Sequence, residues 1–185
     1  PYIVVKDLEF DREVNLWVAN AFATNNNAPI HVKSPYGDWK SYGASETQFK
    51  ISQSPISLSF DSWNRPWFGA FKAAEANLGT YPDGGIFGLT VEGKPFQPEN
   101  FLWESVLTNT AVWSIAFGKN NRLFYLTPTG LNYYDIVIGG DSFGQNLYSY
   151  FPNISFGGGS KIETDEQGNV SVSYTHLTLP TTPYG

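Results

Sequence analysis

The 185-residue chain has no cysteine and no methionine, and only two histidines, His31 and His176. Without cysteine there are no disulfides, thiolate metal sites or cysteine nucleophiles, although this does not identify the compartment. A lone imidazole in the body of the chain builds no histidine metal site, and no acid is paired with it in sequence, so a Ser/His/Asp triad is not expected. Charged residues make up only 15%. The eleven Lys and Arg against seventeen Asp and Glu are scattered singly and leave a net charge of -6. Nucleic acid and anionic lipid need a concentrated positive surface, so neither is an expected partner. No run of about eighteen apolar residues exists to span a membrane. The chain starts at Pro1 and reads as an internal piece of a longer protein, so a missing targeting signal carries no weight.

What the chain does have is aromatic residues, at 17%, and a pattern that comes back. Two apolar positions flank a polar one, an acidic turn follows, and an Asn or Arg opens an apolar-aromatic run. The first copy is Leu8-Glu9-Phe10-Asp11, then Asn15-Leu16-Trp17-Val18. The second is Leu58-Ser59-Phe60-Asp61, then Arg65-Pro66-Trp67-Phe68. The third is Ile115-Ala116-Phe117-Gly118, then Arg122-Leu123-Phe124-Tyr125, and the fourth is Ile162-Glu163-Thr164-Asp165, then Asn169-Val170. The turn residues lie 50, 57 and 47 residues apart, and each precedes its Asn or Arg by four positions. Such periods suit four-stranded blades and are too long for leucine-rich or ankyrin repeats.

β-Branched and aromatic residues predict strands over 3–11 and 15–22, then 30–33 and 39–42, the size of one propeller blade. The second unit repeats the hairpin from Ile56 through Phe71, and its next strand, Gly85 to Val91, is delayed by an insertion from Lys72 to Gly84. Loops of this kind often carry specificity. The third unit predicts strands at 112–117, 122–127, 129–136 and 146–150. The expected fold is all-β: a partial β-propeller of four-stranded antiparallel blades at about 1–50, 51–108 and 109–158, with the start of a fourth at 159–172. In the fourth unit Ser171 stands in the aromatic slot. Residues 173–185 resemble a peptide that recurs at the ends of unrelated metagenomic reading frames, a translated sequencing adapter, and native sequence is expected to end near Val170 to Val172.

The repeated Asp11, Asp61 and Asp165 tempt as catalytic carboxylates or calcium ligands. The expected role is structural, a short acid capping its own turn through backbone N–H groups, with Asn15, Arg65, Arg122 and Asn169 in the same class. Trp17, Trp67 and Phe124 share one slot and predict packing between blades. Trp39, Trp63, Tyr81 and Trp103 lie outside that slot; exposed together, they could stack on sugar rings or a peptide. Gly157-Gly158-Gly159-Ser160-Lys161 lacks phosphate-loop spacing and leads into a strand, so it reads as a flexible inter-blade connection.

The pattern Asp-x-x-x-Asn-x-Trp-Val, followed by Gly130-Leu131-Asn132-Tyr133-Tyr134-Asp135, resembles the regulator-type β-propeller repeat of bacterial surface and sensor proteins. Gly84-Gly85-Ile86-Phe87, placed between Trp67-Phe68-Gly69 and Glu92-Gly93-Lys94-Pro95-Phe96, resembles the propellers of the PorZ family of type IX secretion. That resemblance implies a non-catalytic, extracytoplasmic binding module without a cofactor, on the bacterial surface or in the periplasm. Its implied partners are a protein or a cell-surface glycan or lipopolysaccharide, in cargo attachment. The alternatives are the ligand-binding sensor propeller of a hybrid histidine kinase and a glycan hydrolase or lyase using two carboxylates from different blades.

Overall fold

A computed structural model describes residues 4–21, 28–43, 46–47, 55–71, 84–95, 97–108, 110–136, 148–150 and 156–173. The first antiparallel sheet runs β1 (Val4–Phe10), β2 (Leu16–Ala21), β3 (Ile30–Lys33) and β4 (Trp39–Tyr42) in chain order. The second runs β5 (Pro55–Phe60), β6 (Pro66–Ala70), β7 (Gly85–Lys94) and β8 (Gln97–Thr108). A third is formed by β9 (Ser114–Phe117), β10 (Arg122–Thr127), β11 (Gly130–Asp135) and β12 (Tyr148–Tyr150), and β13 (Lys161–Thr164) pairs with β14 (Val170–Ser173). Among the described residues the only helical element is a single 3-10 turn, Lys119–Asn121. No helix among them is long and apolar enough to cross a membrane.

Strand β8 is the element that sequence patterning missed. Gln97-Pro98-Glu99-Asn100 has the composition of a loop, yet it forms one side of a hairpin paired from Gly85↔Thr108 to Lys94↔Gln97. Pro98 is tolerated because β8 is an edge strand and the ladder shifts register between Glu92 and Gly93, where no N–H is required of it. The hairpin reaches back over the first sheet, where the buried Tyr42 hydroxyl donates to the Pro95 carbonyl.

The sheets bury apolar residues on facing sides. Trp17, Ile30, Val32 and Tyr42 of the first pack with Leu58, Phe68, Ala70, Phe87 and Leu89 of the second. Trp67, Ile86 and Val106 pack with Val112, Ile115, Leu123, Tyr125, Tyr134 and Ile136 of the third. Ala116, Leu126 and Leu131 of the third pack with Phe156 and Ile162. Each fully buried aliphatic or aromatic side chain adds about 1.5–3 kcal/mol, so these layers are the main source of stability.

The first strands of successive sheets lie side by side. The Leu58 N–H donates to Asp7 Oδ2 at 2.9 Å, that of Ile115 to Ser57 Oγ at 3.0 Å and that of Ile162 to Ser114 Oγ at 3.0 Å. Four-stranded meanders stacked face to face, with first strands adjacent around one axis, make a partial β-propeller of three blades and the start of a fourth. Its opening run Gly157 to Ser160 is a closed turn: the Ser160 N–H donates to the Gly157 carbonyl at 2.8 Å, and the Gly157 N–H donates to the buried Ser160 hydroxyl at 3.2 Å. The glycine run is the connection into the fourth blade, closed by these two hydrogen bonds.

Candidate functional site

The β1–β2 turn is organised by Asp11. Its carboxylate accepts from the Asn15 N–H at 2.8 Å, from Asn15 Nδ2 at 2.8 Å and from the Trp17 indole at 3.0 Å. Asp61 accepts from the Trp63 and Arg65 N–H groups at 2.9 Å each, from Arg65 Nε at 2.7 Å and from the Trp67 indole at 3.0 Å. Asp165 takes the backbone and side chain of Asn169 at 2.7 Å each, and these bonds hold its exposed carboxyl below the usual range. A buried indole N–H needs an acceptor, and in the first two blades the aspartate supplies it.

In the third blade Arg122 turns away from Gly118 to Asp135, at 2.6 and 3.0 Å, and lies over the Tyr133 ring. The missing acid has a steric reason. A Cβ on Gly118 would stand 2.9 Å from the Phe124 ring, and a phenyl group carries no N–H for an acid to accept.

A further repeated feature was not singled out in the sequence. The residue before each Asn or Arg has positive φ: Val14 at 64°, Asn64 at 65°, Asn121 at 56° and Gly168 at 89°. Asn and Gly adopt this conformation readily, which was the available signal; Val14 does so with strain. Asn64 and Asn121 also reach the preceding turn, accepting from the Arg12 N–H at 2.9 Å and the Ser62 N–H at 2.7 Å. Asn64 Nδ2 donates to Glu13 at 2.6 Å, so adjacent turns are tied together.

Beside these joined turns, the first two blades enclose a cleft of about 850 Å³. Asp11, Glu13, Asn15, Asn64 and Arg65 give it polar edges, Leu89, Thr90, Val91 and Pro95 of the hairpin close one wall, and Tyr36 and Trp63 stand at its rim. Tyr36 is 91% exposed and Trp63 48%. Tyr36 sits at the tip of β3–β4, where the Ser34 hydroxyl accepts from the Tyr36 and Asp38 N–H groups at 3.2 and 3.0 Å. The guanidinium of Arg65 lies between two indoles, 5.7 Å from the Trp63 ring centre and 5.4 Å from that of Trp67, and also pairs with Glu104 at 3.1 Å. One face of Trp63 is thus backed by a cation while the side chain remains half exposed.

Among solved structures the chain resembles PorZ, an essential bacterial surface component of the type-IX secretion system of Porphyromonas gingivalis. The TM-score is 0.62 at 14% identity, over 92% of this chain and 24% of that one. The likeness is one of fold. The extracellular domain of a hybrid two component system from B. thetaiotaomicron scores 0.42 at 20% identity, over 92% of this chain and 26% of that one. Virginiamycin B lyase from Staphylococcus aureus scores 0.37 at 12% identity, over 94% and 70%. At those scores neither bears on what this chain does. No protein-family model matches the chain, and no curated protein does. The chain spans about a quarter of the length of the first two structures.

Of the aromatic candidates, Trp63 lines the cleft. Trp39 is 57% exposed on the edge strand β4, outside the cleft, with Lys33 Nζ 5.5 Å from its ring centre. Trp103 is placed by its backbone in β8, opposite Leu89. Tyr81, most of the insertion after Phe71, and His176 lie outside the described residues. Tyr36 was missed; the Ser34 and Asp38 pair flanking a Gly turn marks the hairpin that projects it. His31 bonds Ser41 at 2.8 Å across β3–β4, and burial lowers its pKa. Among the described residues no three metal-ligating side chains converge.

Proposed function

We propose that this chain is a non-catalytic, extracytoplasmic β-propeller binding module that acts at the bacterial cell surface, in the attachment of secreted cargo by a type IX secretion system. The ligand proposed is a cell-surface glycan of the lipopolysaccharide kind. The observation that carries the reading is the cleft between the first two blades, where the Trp63 and Tyr36 rings border polar side chains. An aromatic face packs on the C–H face of a sugar ring, and neighbouring amide, carboxylate and guanidinium groups bond its hydroxyls.

The turn aspartates support binding over catalysis. Asp11 and Asp61 already accept from neighbouring donors on both oxygens, an arrangement suited to holding a turn rather than exchanging protons. Titration calorimetry with purified lipopolysaccharide polysaccharide tests the reading. Binding is expected, and Trp63→Ala is expected to weaken it by about tenfold or more without lowering the melting temperature. Equal affinity for the wild type and Trp63→Ala would remove the cleft from the account, and no binding by either would remove the glycan.

A further inference from the structure

A second cleft, of about 750 Å³, lies between the turns of the second and third blades. Trp63 lines both this cleft and the first, so its indole is a wall common to the two. The charges differ between them. Arg12 and Lys119 line the second cleft, and neither has an acid partner among the described residues. Elsewhere Lys40, Arg65, Arg122 and Lys161 each pair with a carboxylate, and Lys33 lies over Trp39. Lys6, exposed on β1, lines neither cleft. Asp61 also borders the second cleft, but its carboxylate already accepts from Arg65 and the Trp67 indole. On a chain of net charge -6, this lining carries an excess of positive charge.

The groups around the cations are held in place. A Cβ on Gly168 would stand 3.1 Å from Lys119 Cδ and 3.3 Å from its Cγ, so the glycine of the fourth turn makes room for the lysine stem. The Arg12 N–H is fixed on Asn64 at 2.9 Å, and the Ser62 N–H on Asn121 at 2.7 Å. The Ser62 hydroxyl and the Asn120 amide keep no partner among the described residues and border the same space. A guanidinium, an ammonium, an amide and a hydroxyl around one cleft suit a group with several charged oxygens.

We infer that this cleft is a subsite for an oxyanion, a phosphate or a carboxylate, carried by the sugar chain that packs on Trp63, an assignment that rests on the glycan reading of the first cleft. Charge fixes which way the ligand lies. Asp11 and Glu13 edge the first cleft, where they repel an anion and accept from neutral hydroxyls. The charged substituent then falls on the other side of the Trp63 wall, at Arg12 and Lys119.

Titration calorimetry with purified lipopolysaccharide polysaccharide compares the wild type, Arg12→Gln combined with Lys119→Gln, and Lys6→Gln as a charge control outside the clefts. The double variant is expected to bind about tenfold or more weakly and to lose the wild type's sensitivity to sodium chloride, while Lys6→Gln changes neither. Removing the polysaccharide's phosphates or reducing its carboxyls should reproduce the loss, and the treatment that does so identifies the group. Affinity that survives both treatments, or a double variant that binds as the wild type does while Trp63→Ala still weakens binding, would overturn the subsite and leave the glycan reading standing. Should the double variant melt below the wild type, each single substitution carries the same comparison.

If the wild type binds no polysaccharide, the glycan reading falls and the anion site is decided without a sugar. Inorganic phosphate and acetate are then titrated into 15N-labelled protein against sodium chloride of equal ionic strength. Amide shifts at Lys119, Asn120 and Asn121 that the double variant lacks would support the site, and shifts from neither anion would overturn it.

Discussion

At the scale of single residues, the turn aspartate and the aromatic six positions later act as one unit. The acid organises the turn and accepts from the indole, so each depends on the other. The third blade carries the exception that makes the dependence testable, because Gly118 and Phe124 replace both members together. Gly118→Asp alone is expected to destabilise by about 1–3 kcal/mol through contact with the Phe124 ring. Combined with Phe124→Trp it should cost less, with a coupling of about 1 kcal/mol or more in a double-mutant cycle read by urea denaturation. Additive effects would mean that acid and indole act separately. The aspartates, the Asn or Arg and the aromatic slot were legible because they recur in one register. Tyr36 was not, since a single exposed aromatic at a hairpin tip has no counterpart in the other copies to set it apart.

At the scale of elements, the strands with strong β-branched and aromatic patterning fell where the sequence places them, Ile30–Lys33, Trp39–Tyr42 and Arg122–Thr127 to the residue. Strand β8 did not, because it is held by pairing with β7 and, at Val106, by packing against the third blade rather than by the composition of its opening residues. The hairpin acts as a strap. Tyr42 fixes it through Pro95, and Leu89 and Val91 lie against the first blade's core. Tyr42→Phe keeps the ring and removes the bond, and is expected to cost about 1 kcal/mol in a chemical melt. Because Val91 and Pro95 also line the cleft, the same variant should weaken glycan binding, whereas unchanged affinity would show that the strap does not shape the cleft.

At the scale of the whole molecule, the first strands of all four blades border one space, lined by Asp7, Glu9, Lys161 and Glu163 among others. Lys161 Nζ lies 3.7 Å from Asp7, which joins the last of these strands to the first. Burial, and then the charge of Asp7, raise the Glu9 pKa from 4.5 to about 7. Between those values the folded chain binds more protons than the unfolded one, so this group makes stability fall as pH rises through that window and leaves it lower above pH 7. Glu9→Gln should therefore melt higher than the wild type at alkaline pH, by about 1–2 kcal/mol once solvent screening at a partly exposed group is allowed for, and equally near pH 4. A difference of the same size at both pH values would place the effect in packing instead.

The central claim is that successive blades interlock around one axis through repeated first-strand contacts, and native-state hydrogen exchange reads it most directly. The Leu58, Ile115 and Ile162 amides bond to the blade before, while the Leu8 amide bonds to the side chain of its own neighbour, Asp7. The account predicts that the first three exchange slowly, with opening energies approaching that of global unfolding, and that Leu8 exchanges orders of magnitude faster. Exchange at Leu58, Ile115 and Ile162 as fast as at Leu8 would show that the blades do not interlock, and would contradict the account.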